Sequence, residues 1–268
     1  MRPRALVALL ALATAVATLA ACSGDDGARG SGSAAAPPRF RVLVFSRTTG
    51  YRHRSIPVAV ETIRRLGRAQ GFGVDHTEDE RRFTDRGLAR YGALIFLSST
   101  GEPLAPGAHR RAFRRYIARG GGFLGIHAAS DSFYRWRWYV GLVGASFRRH
   151  APGTPAAVVV VEDRRTAATR GLPRVWRRAD EWYAFRADPR RRVHVLATLD
   201  ERSYHPRGEA AMGADHPIAW CHRYGGGRSV YTAMGHTSAS YRDPRFVAHL
   251  LGAIKMAAGQ APFRCPAG

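Results

Sequence analysis

Lysine is almost missing from this 268-residue chain: Lys255 is the one example among 42 basic residues, and the rest are arginine. Acidic residues are few as well, 20 in all, so the formal net charge is +22 at pH 7. A balance this one-sided first suggests nucleic acid or an anionic surface as partner. Exclusion of lysine marks the excess as compositional, however, and the arginines are scattered over expected helix faces and loops. They form no basic stripe interleaved with aromatics, which a nucleic-acid groove requires. Nucleic acid is therefore not an expected partner, whereas attraction to an anionic envelope surface is compatible with the charge. Cysteine is scarce at three, and no C-x-x-C or H-x-x-x-H pair occurs, which removes the short-spacing metal motifs. No internal repeat is visible, which removes repeat architectures. The longest apolar run, Ala5 to Ala21, falls short of the ~20 residues that a membrane span needs.

That run follows Arg2 and Arg4 and ends in Leu19-Ala20-Ala21-Cys22, the pattern of an export signal. A small-residue cleavage site directly before cysteine resembles the lipobox of bacterial lipoproteins. It implies that residues 1–21 are a signal peptide and that Cys22 is lipidated, anchoring the protein to the outer face of the cell membrane. Residues 22–38 are rich in Gly, Ser and Ala and close at Pro37-Pro38; they cannot bury apolar surface and read as a tether. Residues 39–259 are expected to form one α/β domain, followed by a tail over 260–268. In an exported protein Cys221 and Cys265 have two fates open, a disulfide or two free thiols.

Along the domain, Arg41 to Ser46 is a short apolar run after a proline breaker and reads as a buried strand. Ser55 as cap, Pro57 in the first turn, and Ala59, Ile63 and Leu66 on one face predict a helix that Gly71 and Gly73 end. A weaker strand begins at Val74. Ala93 to Ser99 is a second apolar strand, Ala112, Phe113, Tyr116 and Ile117 mark a helix, and Phe123 to His127 is a third strong strand. Such alternation predicts a doubly wound, mainly parallel sheet. The later half predicts strands over Ala156–Val161, Val193–Leu199, Pro217–Tyr224 and Ser229–His236 with little helix between, hence antiparallel additions. Pairing Tyr224 with Arg228 across the glycines 225–227 brings His216 opposite His236. Asp243, Pro244 and the face Phe246, Val247, Leu250, Leu251 and Ile254 predict a closing helix.

Ligands of open α/β sheets gather beyond the carboxyl ends of the parallel strands. His53, His127 and Asp131 fall there. Gly125-Ile126-His127-Ala128-Ala129 has the shape of a nucleophile elbow, with small residues flanking a sharp strand-to-helix turn, but its apex is histidine. Imidazole suits acid-base work or metal ligation; packing alone is the competing account. On the topology above, His53, His127, His216 and His236 share one rim and could hold zinc or a similar divalent ion. Asp180-Glu181-Trp182-Tyr183 sets two carboxylates beside two aromatics, and Trp136, Trp138 and Tyr139 form another aromatic group; sugar sites combine such groups. Core packing, with Asp180 or Glu181 salt-bridged to a nearby arginine, explains the same residues.

The segments FSRTTGYRHRSIP (45–57), GGGFLGIHAASD (120–131), WYVGLVGASF (138–147), ADEWYAF (179–185), MGADHPIAWC (212–221) and GRSVYTAMGHT (227–237) occur in order. Together they resemble the ThuA-like, trehalose-utilisation family over nearly all of residues 39–259. The resemblance implies a flavodoxin-like variant of the class I glutamine amidotransferase fold and a role in carbohydrate metabolism, including processing of oxidised glycosides. It also implies that glutaminase activity is absent, because His127 stands where amidotransferases carry cysteine. The pocket residues it implies are His53, His127, Asp131, Glu181, His216 and His236. Ala184 departs from the family, which is expected to carry a polar residue such as asparagine there.

Two functions follow. One is a hydrolase or lyase acting on glycosides or keto sugars, with His127 and Glu181 catalytic, His53, Asp131, Trp182, Tyr183, His216 and His236 binding substrate, and His53, His127 and His236 offering ligands to a metal. The other is a carbohydrate-binding or envelope-interaction module without chemistry.

Overall fold

A computed structural model of the chain describes residues 38–265. The expected signal peptide, Cys22, the tether up to Pro37 and the last three residues lie outside that range.

The first half alternates strand and helix: β1 (Arg41–Phe45), α1 (Ile56–Gln70), β2 (Gly73–Thr77), α2 (Asp85–Leu88), β3 (Ala93–Leu97), α3 (Ala108–Ala118), β4 (Gly122–Ile126) and α4 (Arg137–Val143). The second half is mostly strand: β5 (Phe147–His150), β6 (Ala156–Val161), β7 (Val175–Ala179), β8 (Tyr183–Phe185), β9 (His194–Asp200), β10 (Pro217–Tyr224) and β11 (Gly227–Thr232), closed by α5 (Pro244–Ala257). Nine strands form one sheet in the order β2-β1-β3-β4-β11-β10-β9-β6-β7, and β5 pairs with β8 separately. The five strands from β2 to β11 are parallel neighbours. From β11 outward every pairing is antiparallel.

The parallel core follows from composition. β3 and β4 are buried at every position, as strands covered by helices on both faces must be. On one face Phe113 of α3 stacks on Phe96 at 5.1 Å, and Tyr139 of α4 meets Phe123 edge-on at 5.9 Å. Trp136 stacks on Tyr139 and Trp138 meets Phe113 at 5.3 Å, so this aromatic group belongs to helix packing and not to a sugar groove. The opposite face is covered by α1 and α5. α5 is capped as expected, by the Asp243 side chain accepting from the Arg245 N–H. Ser55 is not a cap in this sense, because its backbone is already helical and its hydroxyl donates to the Gly235 carbonyl at 3.3 Å. It therefore ties the start of α1 to the segment after β11.

One register departs from expectation. Tyr224 pairs with Gly227 and Arg223 with Arg228, because Gly225 and Gly226, at φ 55° and 95°, form a two-residue turn that favours left-handed backbone. A one-residue slip sends side chains to the other face, so His216 and His236 do not come opposite. β11 also stops at Thr232, leaving His236 on the following segment. Cys221, inside β10, is disulfide-bonded to Cys265 with a Cα separation of 5.8 Å, which resolves the cysteine alternatives.

Candidate functional site

The carboxyl ends of β1, β4 and β11 deliver three histidines. His127 is the first residue after β4 and has φ 50°, a left-handed conformation that costs a non-glycine residue roughly 1–2 kcal/mol. The turn is held from behind, since the Tyr231 hydroxyl donates to the His127 carbonyl at 2.8 Å. The His127 Nδ1–H donates to the Ala233 carbonyl at 2.7 Å. A carbonyl only accepts, so Nδ1 carries a proton, and Nε2 is the nitrogen turned to the site. His53 lies on the segment after β1, buried, its ring perpendicular to that of His127 at 4.8 Å. Its Nδ1 is buried without a hydrogen-bond partner among the described residues.

Glu181 arrives from the turn between β7 and β8. Its Oε2 lies 3.3 Å from His127 Nε2 and 3.1 Å from His236 Nδ1, and these two ring nitrogens are 3.2 Å apart. Asp180 fixes the other side: it accepts from the main-chain N–H groups of Gly235 and His236 at 2.9 and 3.0 Å and from the Ser240 hydroxyl at 3.0 Å. Its charge is balanced by Arg178 at 2.9 Å, both groups being buried. The salt bridge to a nearby arginine, one of the two accounts open from sequence, is thus realised at Asp180, while Glu181 faces the site.

Burial would raise the Glu181 carboxyl, but hydrogen bonds from His127 and His236 outweigh it and hold the group well below the ordinary carboxylate range. Burial pulls His53 down to about 3, helped by the nearby charges of His127 and His236, so its ring is neutral. His236 is pushed up: burial opposes this, and its bond to Glu181 prevails. Donor atoms of His53, His127, Glu181 and His236 all lie within 4.8 Å of one another. Ligands at 2.0–2.1 Å around a tetrahedral ion stand about 3.3 Å apart. The three short separations here, 3.1 to 3.3 Å, match that edge, so the group can hold a metal ion.

The expected residues divide clearly. His53, His127, Glu181 and His236 converge. Asp131 sits at the rim, accepting from the Tyr134 hydroxyl; burial raises its carboxyl despite that bond and the nearby His127. Tyr183 is a wall, its ring 4.2 Å from that of His127 and almost wholly buried. His216 is a correction. Its Nε2 binds the Tyr183 carbonyl at 2.9 Å and its Nδ1 the Glu201 carboxylate at 2.8 Å, so both nitrogens are engaged away from the cluster. Trp182 is a second correction: it is fully buried and donates to the Pro155 carbonyl at 2.8 Å, with no face for a sugar. Ala184 is fully buried too, so no substrate contact is available there. Sequence reasoning missed His150, whose Nδ1 lies 3.4 Å from Glu181 Oε1. The pairing of His150 with Tyr183 across β5 and β8 brings it there, and neither short strand carried a pattern strong enough to show it.

Fold and site define the class: a flavodoxin-like, doubly wound α/β protein with a buried cluster of three histidines and a glutamate beyond its parallel strands. The chain belongs to the ThuA family, described as trehalose utilisation, whose sequence model matches residues 41–257. Carbohydrate utilisation is therefore its family-level setting. A ThuA-like protein of Bacteroides uniformis is 25% identical, with TM-score 0.70 over 84% of this chain and 94% of that one. A ThuA-like protein of Parabacteroides merdae is 19% identical, with TM-score 0.65 over 85% and 92%. A β-galactosidase of Bacillus circulans sp. alkalophilus shares the fold at 14% identity and TM-score 0.53, over 82% of this chain but 31% of its own. No curated protein sequence matches the chain closely enough to carry an argument.

Proposed function

We propose that this protein is an extracytoplasmic, lipid-anchored enzyme that processes glycosides or their oxidised, keto-sugar forms with metal-assisted acid-base chemistry. One observation carries the reading: three imidazoles and an ionised carboxylate offer donor atoms to one point, at the end of the sheet where ligands of this fold bind. His53, His127 and His236 would be the histidine ligands of a divalent ion, with zinc the candidate from the donor set, and the fourth position would stay open to substrate beside Glu181. Such an ion supplies Lewis acidity, polarising a sugar carbonyl or hydroxyl.

The chain's own groups supply the rest. Oxidation of one ring carbon acidifies the neighbouring C–H, and Glu181, held ionised, is the base placed to take that proton. His127, its Nδ1 held by the Ala233 carbonyl, keeps Nε2 aimed at the site, and His150 links Glu181 Oε1 toward solvent. Asp131 binds a sugar hydroxyl at the rim. The disulfide between Cys221 and Cys265 supports the exported setting, because such bonds persist in oxidising compartments.

The test pairs metal content with turnover. Protein dialysed against zinc should retain about one equivalent, His127→Ala and His236→Ala should lose it, and Glu181→Gln should lose turnover of a keto-disaccharide. Unchanged turnover in His127→Ala would sink the assignment. Sugar binding without product in the metal-loaded protein would leave a carbohydrate-binding module.

A further inference from the structure

We propose that Tyr51 is the platform of a sugar subsite at the mouth of the histidine cluster, where its ring stacks on the apolar face of a pyranose; this rests on the carbohydrate reading above. Tyr51 and Val175 are the two exposed large hydrophobic side chains among the described residues, and Tyr51 is 62% exposed. A lone exposed apolar residue ordinarily needs no explanation. This one differs by its position and by how firmly it is held.

Its ring stands perpendicular to that of His53, with centroids 4.8 Å apart. The outermost aromatic therefore touches a group whose inner neighbours are His127 and His236. The segment that carries it is pinned. The Thr100 hydroxyl donates to the Tyr51 carbonyl at 2.9 Å, and Thr49 N–H donates to the Thr100 carbonyl at 3.0 Å. The Thr49 hydroxyl accepts from Glu102 N–H at 2.7 Å, and Ile56 N–H donates to the His53 carbonyl at 3.3 Å. An exposed ring on a backbone fixed at both sides loses little entropy on binding. The Tyr51 hydroxyl makes no hydrogen bond among the described residues, so it is free for a sugar hydroxyl.

Those features select the ligand class. A gluco-configured pyranose turns a patch of axial C–H groups to one side, which suits the negative face of an aromatic ring, while its hydroxyls reach the imidazoles and carboxylates beyond. Tyr134 and Tyr183 do not compete for this role, since the first is committed to Asp131 and the second is buried.

The experiment titrates α,α-trehalose and methyl α-D-glucopyranoside into the full-length protein and into Tyr51→Ala, Tyr51→Phe and Tyr51→Trp by calorimetry, with zinc content and melting temperature measured alongside. Tyr51→Ala is expected to weaken binding of both sugars about tenfold, whereas Phe and Trp stay within about threefold. Zinc content and melting temperature should not move in any of the three. Sugar binding by Tyr51→Ala within about twofold of the unaltered protein overturns the subsite and leaves the carbohydrate reading standing. Absence of binding by the unaltered protein overturns both. Loss of zinc in Tyr51→Ala overturns the subsite by making Tyr51 a support for His53.

Discussion

Replacing Asp180 by alanine tests the foundation on which the histidine cluster stands. The carboxylate is buried with Arg178 and takes hydrogen bonds from Gly235, His236 and Ser240. Alanine strands the guanidinium between the rings of Trp176 and Phe246, which lie 4.7 and 4.8 Å away, and removes the acceptor of three main-chain N–H groups, those of Glu181, Gly235 and His236. Breaking a buried pair from one side costs about 3–5 kcal/mol. With a urea m-value of about 2–3 kcal/mol/M for a domain of this size, the unfolding midpoint falls by about 1–2.5 M. Removing both charges, in Arg178→Met with Asp180→Ala, should restore roughly half of the loss. Urea unfolding followed by tryptophan fluorescence reads the stability, and zinc dialysis on the same samples reads the site. The double variant should regain stability without regaining zinc, because the His236 N–H still lacks its acceptor. A loss below about 1 kcal/mol in Asp180→Ala, or a double variant no more stable than the single, refutes the reasoning.

Other outcomes follow from single features. Burial holds His249 neutral down to about 4 against 6.5 when free, so the unfolded chain binds an extra proton between those values. The stability this contributes is complete above pH 6.5, is lost as pH falls at up to about 1.4 kcal/mol per unit, and levels off below pH 4; His249→Leu should flatten the slope of unfolding free energy against pH. Reducing the Cys221–Cys265 bond, or replacing both residues by alanine, should cost about 2–4 kcal/mol for a separation of 44 residues, read as a lower melting temperature. Zinc must displace the proton that His236 holds through Glu181, so its affinity should rise with pH across neutrality and its binding should release protons, measurable by calorimetry in buffers of different ionisation enthalpy.

The parallel half of the fold was legible because its strands are buried on both sides and their residues are continuously apolar, as in Ala93–Leu97. Of the antiparallel half, β6 and β10 were found with their bounds intact, but β7 and β8 were not. Val-Trp-Arg-Arg-Ala alternates too briefly, and Tyr-Ala-Phe is too short, to stand out from loop. His53 and His127 followed from the rule that places ligands beyond strand ends. Glu181 was found by its aromatic neighbours, which then proved to be core. The failure at His216 came from one extra residue assumed in a turn, since a ladder of period two has no tolerance for such an error.

The four converging groups are separated by up to 183 positions, from His53 to His236, and are assembled only when β1, β4, β11 and the β7–β8 turn are all in place. No shorter piece of the chain contains the centre. Under the export proposed above, with the chain crossing before it folds, that dispersal would have a logistic result: the centre would take its ion where the protein folds and not where it is made. The ion pool outside the cytoplasm, and not affinity alone, would then decide which metal the site carries. Occupancy would in turn certify that the last strands had closed.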